Sequence, residues 1–300
     1  MPHVVDQRRI TRGHLSAFFT VSIWGTTFIA TKVLLSSFSP GEILFFRLGL
    51  AYVTLLLISP HIIKYKNIRE ELLFAAAGLS GITLAFLFQN TALSYTSVSN
   101  TSVLMSTSPF FTAILAHFFL KDEELSAGFF TGLGAAIAGI VLIAFNGNFI
   151  LKLNPLGDLL AVLSAAAWAV YSILMKKISA LRYNNIQCTQ KIFFYGLFFL
   201  IPMLGMLGFK FNPDRFASLP VLLNILYLGI GASALCYVSW NLAVSVLGAV
   251  KTSVYIYVEP VIAVAASVVF LSEIITPTAA AGMALIMAGL YLSEWKGKKA

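Results

Sequence analysis

The stretch Asn90-Thr91-Ala92-Leu93-Ser94, followed by Thr101-Ser102-Val103 and Pro109, returns later in the chain as Asn241-Leu242-Ala243-Val244-Ser245, Thr252-Ser253-Val254 and Pro260. The offset between the copies is constant and carries on to Phe119-Leu120 and Phe270-Leu271. Working outward, Trp24 and Lys32 share the mutual spacing of Trp168 and Lys176, and Gly132 and Gly139 are answered by Gly282 and Gly289. The chain is an internal duplication whose halves meet at the polar connection Asn146 to Pro155.

Composition identifies the solvent. The 300 residues are 59% hydrophobic and 11% charged, with mean hydropathy +0.88, whereas ordinary soluble domains carry about 25% charged residues. Apolar runs of about 20 residues, enough to cross the hydrocarbon of a bilayer, recur from end to end. Reading them between charge, Pro and Gly punctuation gives ten spans, at 14–36, 41–60, 70–94, 98–120, 125–146, 156–177, 186–209, 219–245, 249–271 and 275–294. Almost no charge separates the third span from the fourth or the eighth from the ninth.

The expected fold is therefore an all-α polytopic membrane protein of about ten transmembrane helices in two inverted five-helix repeats. Its divisions are a cytoplasmic N-terminal tail at 1–13, a first repeat at 14–146, a connector at 147–155, a second repeat at 156–294 and a cytoplasmic C-terminal tail at 295–300. Five spans per repeat is odd, so the second copy enters the membrane from the opposite side. Inverted repeats supply two equivalent packings, one open to each side, which is the basis of alternating access in many secondary transporters.

The formal net charge of +8 does not gather on one face as a nucleic-acid binder requires, and no nucleic-acid partner is expected. Basic residues instead cluster at Arg8, Arg9 and Arg12, at Lys64, Lys66 and Arg69, at Lys176, Lys177 and Arg182, and at Lys296, Lys298 and Lys299. With ten spans all four clusters share a side, while the other side has chiefly Lys152, Lys210 and Arg215. The positive-inside rule then places both termini in the cytoplasm, and the expected location is a cell membrane, the bacterial inner membrane. Arg8, Arg9 and Arg12 precede a run too long for a signal-peptide core, which is read as a retained first helix. Cys188 and Cys236 lie in separate apolar runs without metal-ligand spacing, so neither a disulfide, a metal nor another cofactor is expected.

These residues resemble the drug/metabolite transporter superfamily, specifically its EamA-type members. The first repeat reads Trp24-Gly25, Phe28, Lys32, Pro40, Glu42 and Arg47, then Asn100, Pro109, Glu123 or Glu124 and Gly132; the second reads Gly157-Asp158, Trp168-Ala169, Tyr171, Glu259-Pro260, Leu271-Ser272-Glu273, Gly282 and Ala288-Gly289. The resemblance covers nearly the whole chain and implies export or exchange of metabolites such as amino acids, with no fixed substrate.

Candidate pathway residues follow from helical spacing, which sets residues three and four apart on one face. Thr252, Tyr255 and Glu259 form one stripe, whose repeat equivalents are Thr101, Leu104 and Ser108; Tyr237 and Asn241 form another, matched by Phe86 and Asn90. Trp24 with Thr27 or Phe28, and Trp168 with Tyr171 or Ser172, add the first and sixth spans. Converging, they would line a small-molecule site with aromatic walls and a few polar groups; packing between helices is the competing role for each alone. No residue is expected to be catalytic.

Glu259 carries two readings. It accepts local hydrogen bonds and steadies a bend at Pro260, the preferred role, or it couples proton binding to substrate movement. Pro109 is the matching bend in the first repeat. Arg47 could bind an anionic substrate group, but pairing with Glu42, a carbonyl or a lipid headgroup is preferred. Gly128, Gly132 and Ala136, with Ala280, Ala284 and Ala288, read as packing faces between repeats or subunits, which leaves a homodimer open. The expected function is a secondary transporter exporting amino acids or related compounds by alternating access, with membrane lipid and a small-molecule substrate as partners. The alternatives are an uncoupled facilitator or channel and, further off, a membrane enzyme or receptor; no P-loop, HExxH or GxSxG motif occurs.

Overall fold

The computed structural model describes residues 2–96, 98–120, 127–145, 154–271 and 277–294. Asp122-Glu123-Glu124, Lys152, most of the connector, Ser272-Glu273 and the terminal lysines Lys296, Lys298 and Lys299 lie outside the described residues, as does the Asn100 side chain. Ten helical spans run through the rest, with no strand among the described residues. They are α1 Pro2–Leu34, α2 Pro40–Ile58, α3 Ile68–Tyr95, α4 in two pieces Val98–Met105 and Ser108–Phe119, and α5 Ala127–Phe145. The second set is α6 Pro155–Ser179, α7 Asn185–Met206, α8 Leu219–Leu247, α9 in two pieces Ala249–Val254 and Val258–Leu271, and α10 Pro277–Glu294. Six of them (α1, α2, α3, α6, α7 and α8) are long and apolar enough to cross a membrane, and α4, α5 and α10 carry shorter apolar stretches.

Local chemistry fixes the starts. Ser39 caps α2 reciprocally: its hydroxyl accepts from the Glu42 amide at 3.3 Å while Glu42 Oε2 accepts from the Ser39 amide at 2.8 Å, and Pro40 occupies the first turn. Asn67, Asn154 and Asn184 cap α3, α6 and α7 one way, their side-chain oxygens accepting from first-turn amides. The division between the eighth and ninth spans rests on Gly248, whose φ of +92° is open to glycine and costly for other residues. The segment 1–13, read as a tail, is helical from Pro2 onward and continuous with α1.

The packing obeys a pseudo-two-fold exchange of the repeats. α1 lies against α8 and α9, as α6 lies against α3 and α4; α2 crosses α7, and α5 crosses α10. Close approaches are duplicated too. A Cβ on Gly78 would meet Cβ of Tyr195 in α7 at 2.7 Å, and one on Gly229 would meet Cβ of Leu50 in α2 at 2.8 Å. At the α5–α10 crossing Gly139 faces the Gly282 carbonyl and Gly289 faces that of Gly132. Gly132 and Ala136 thus pack inside the chain, whereas Ala280, Ala284 and Ala288 are exposed and α10 meets α5 through Gly282, Ile286 and Gly289 instead. Leu57, Phe118, Phe198 and Met206 stay exposed, an apolar exterior suited to lipid.

Each repeat also carries a π-wound segment, Gly78–Leu84 in α3 and Tyr227–Leu235 in α8. Side chains of the opposite repeat bond the carbonyls just beyond them: Ser164 Oγ donates to Ala85 O at 2.6 Å and its equivalent, Thr20 Oγ1, donates to Cys236 O at 3.3 Å.

Candidate functional site

The two equivalent tryptophans meet at the centre. Trp24 and Trp168 pack edge to face with ring centroids 5.1 Å apart, and Tyr171, Tyr237 and Trp240 complete an aromatic cluster around them. Beside it lies a small cavity whose walls come from both repeats. Of the residues singled out from sequence, Trp24, Thr27, Phe86, Ser108, Trp168 and Glu259 line it. Its free volume is about 30 Å³, room for a water molecule but far below the roughly 300–1,000 Å³ of small-molecule pockets. In this conformation the helices leave no room there for a solute.

Several polar groups of the cavity are uncommitted. Ser108 Oγ and Trp168 Nε1 are buried without a hydrogen-bond partner among the described residues. Glu259, 5% exposed, lines the same space and has no hydrogen-bond partner among the described residues. The prolines sit where the helices break. Pro109 is in the first turn of Ser108–Phe119, and Pro260 is in the first turn after the 3₁₀ turn Tyr255–Tyr257.

The other predicted residues lie elsewhere. Asn241 Oδ1 accepts from the Tyr171 hydroxyl at 2.5 Å and its Nδ2 donates to Thr189 Oγ1 at 2.9 Å, which ties α6, α7 and α8 together. Tyr237 donates to the Gly81 carbonyl at 3.0 Å. Asn90 donates to the Pro40 carbonyl at 3.3 Å, and Thr101 is buried beside the cavity without lining it. Tyr255 points to the N-terminal half of α1, its hydroxyl 2.6 Å from His14 Nδ1. In its place Ile256 reaches the cavity, together with Gln89 and Met105, none of them anticipated. Gln89 was legible as the residue three beyond Phe86, on the same face as Asn90 at four.

Arg47 departs furthest from expectation. Glu42 does not pair with it. That carboxylate accepts from Arg215 Nη2 at 3.0 Å and from the Lys210 amide at 2.9 Å, which pins the α7–α8 loop to the start of α2. Arg47, only 1% exposed, donates Nε to Ser233 Oγ at 2.5 Å and lays its guanidinium over the Phe86 ring at 3.8 Å from the centroid. Neither Nη1 nor Nη2 finds a partner among the described residues. A second cavity, about 540 Å³, lies between α2, α3 and α7 and shares no residue with the central one; Lys191, Tyr195 and Glu71 form a closed polar cluster on its wall.

Known proteins agree with this architecture. A crystal structure aligns over 94% of this chain and 95% of its own at a TM-score of 0.74 and 17% identity, which speaks for the fold alone. An "Uncharacterized transporter" of Archaeoglobus fulgidus is 32% identical over 294 residues, covering 95% of this chain and 98% of its own. A "Probable terminal-alkyne amino-acid exporter" of Streptantibioticus cattleyicolor is 27% identical over 287 residues, covering 95% and 94%. With residues 11–145 and 155–295 each matching one copy of the family's repeat, the chain belongs to the EamA-like transporter family of the drug/metabolite transporter superfamily.

Proposed function

We propose that this chain is a secondary transporter that exports amino acids or related compounds by alternating access, in a bacterial inner membrane with both termini cytoplasmic. The observation that carries this is the central cavity, walled by both inverted repeats, with uncommitted polar groups on aromatic walls and too little room for a solute. A site that must release what it binds on the other side passes through such a closed state. The amino-acid class draws on the Streptantibioticus relative's printed name. Glu259, facing the cavity with no partner, supports coupling to protons, since a carboxyl group in that position changes its charge as the site opens to water.

The test is uptake and release of a labelled amino-acid panel in proteoliposomes, with and without an imposed pH gradient. Saturable movement that accelerates with the gradient is the expected result. Movement indifferent to the gradient would make the protein a facilitator, and no movement of any panel member in folded samples would overturn the amino-acid reading.

A further inference from the structure

We infer that Arg47 is the carboxylate clamp of this transporter and that Phe86 is the shutter between it and the central cavity; the inference rests on the proposed amino-acid transport and names the group of the cargo that is read. A guanidinium in the interior of a membrane protein needs anions or acceptors for its five N–H groups. Arg47 has one, Ser233 Oγ, while both terminal nitrogens are buried and empty-handed among the described residues. Among the described residues no carboxylate pairs with it, and Glu42, the acid nearest in sequence, is taken by Arg215. What remains free is the flat, two-pronged edge that matches a carboxylate in bidentate fashion.

The Phe86 ring connects this edge to the site. It lines the cavity and also lies under the guanidinium, an attraction that holds the shutter closed while no anion is present. Rotation of that ring out of the way would join the guanidinium to the space that Glu259 lines. One cation and one carboxylate facing a single space select a solute that carries both an ammonium and a carboxylate. A dicarboxylate would be repelled by Glu259, and a simple amine would leave Arg47 unpaired.

Trp24 and Trp168 report on the cavity, so binding is read from their fluorescence as each amino acid is titrated beside its carboxamide and its decarboxylated amine. The wild-type protein is expected to prefer the acid by about 30-fold or more, the scale of a buried charge pair. Arg47→Gln should collapse that ratio to within about threefold, and Arg47→Lys should restore part of it, since a point charge lacks the fork. A purely structural arginine would weaken all three compounds together and leave the ratio unchanged. Equal binding of acid and carboxamide by the wild-type protein, which requires no variant to fold, overturns the clamp while leaving amino-acid transport standing. Monocarboxylates that bind through Arg47 while no amino acid moves would keep the clamp and remove the amino-acid reading. If no carboxylate binds, both fall.

Discussion

The two repeats share a scaffold and divide the chemistry between them. Thr20 and Ser164, the π-wound segments, the paired glycines and the meeting tryptophans all occur twice, in equivalent contacts. The buried charges Glu259 and Arg47 occur once. Glu259 in the second repeat stands where the first has Ser108, and the Gly78–Tyr195 and Gly229–Leu50 contacts align Arg47 with Ile192 and its partner Ser233 with Ile82. The central cavity is one-sided: at the offset of the repeats Gln89 in the cavity corresponds to Trp240, fully buried in the aromatic cluster. Duplication supplies a frame that moves symmetrically, and departures from it supply a site with direction and selectivity.

The largest effect is expected where the symmetry is filled rather than broken. Trp240→Ala removes the bulk that closes the second half-cavity and should lower stability in detergent by about 3–5 kcal/mol, the cost of emptying a packed aromatic site. Gln89→Ala, at the equivalent position, should change it by under about 1 kcal/mol, because its amide is uncommitted. Thermal melting of both variants decides the point, and equal losses would mean that the two half-sites are packed alike.

Next comes the charge. Glu259→Gln keeps the shape and removes the ionisable group; we expect transport in proteoliposomes to fall by about 30-fold or more and its pH dependence to flatten. Ser108→Ala at the matching position should cost under about fivefold, the scale of one neutral hydrogen bond. Retention of the full pH response in Glu259→Gln would place coupling elsewhere.

Sequence carried the scaffold further than the site. Helix count, repeat and inversion follow from apolar length and the constant offset, because lipid forces every backbone polar group into helices and tolerates few charges. The stripe on α9 is interrupted where the backbone leaves the regular α-helix. Thr252, Tyr255 and Glu259 share a face only if α9 is continuous. The 3₁₀ turn Tyr255–Tyr257 advances each residue further round the axis, so Ile256 faces the cavity and Tyr255 faces His14. The Arg47–Glu42 pair is not made because the capping box and Arg215 consume that carboxylate, which proximity in sequence does not reveal.

The glycine contacts offer a smaller and sharper test of the scaffold. Adding a methyl at Gly78 meets backbone, the Ile192 carbonyl at 2.7 Å and the Gly196 nitrogen at 2.8 Å, whereas at Gly229 it meets the side chain of Leu50. Backbone cannot turn aside, whereas Leu50 can swing its Cδ2 away and is left with the Cβ contact at 2.8 Å. Gly78→Ala should therefore cost about 2 kcal/mol and Gly229→Ala about 1 kcal/mol or less, measured by the same melts. The reverse order would show that the α2–α8 crossing, not the α3–α7 crossing, is the tighter of the pair.

The finest distinction between the repeats is one hydroxyl. Trp24 Nε1 donates to the Ala232 carbonyl at 2.8 Å, but the carbonyl at the equivalent place, Gly81, already accepts from Tyr237, and Trp168 Nε1 is left unpaired among the described residues. Tyr237 corresponds to Phe86, which has no hydroxyl to compete with Trp24. Trp24→Phe and Trp168→Phe shed the same ring volume, so Trp24→Phe should be the more destabilising by about 1 kcal/mol, the worth of its hydrogen bond. Tyr237→Phe frees the Gly81 carbonyl, and Trp168 should then take it as Trp24 takes Ala232. In that background Trp168→Phe should become costlier by about 1 kcal/mol, a coupling that a double-mutant cycle reads directly. If Trp168→Phe costs the same with and without the Tyr237 hydroxyl, then helix placement, rather than this bond, separates the two halves.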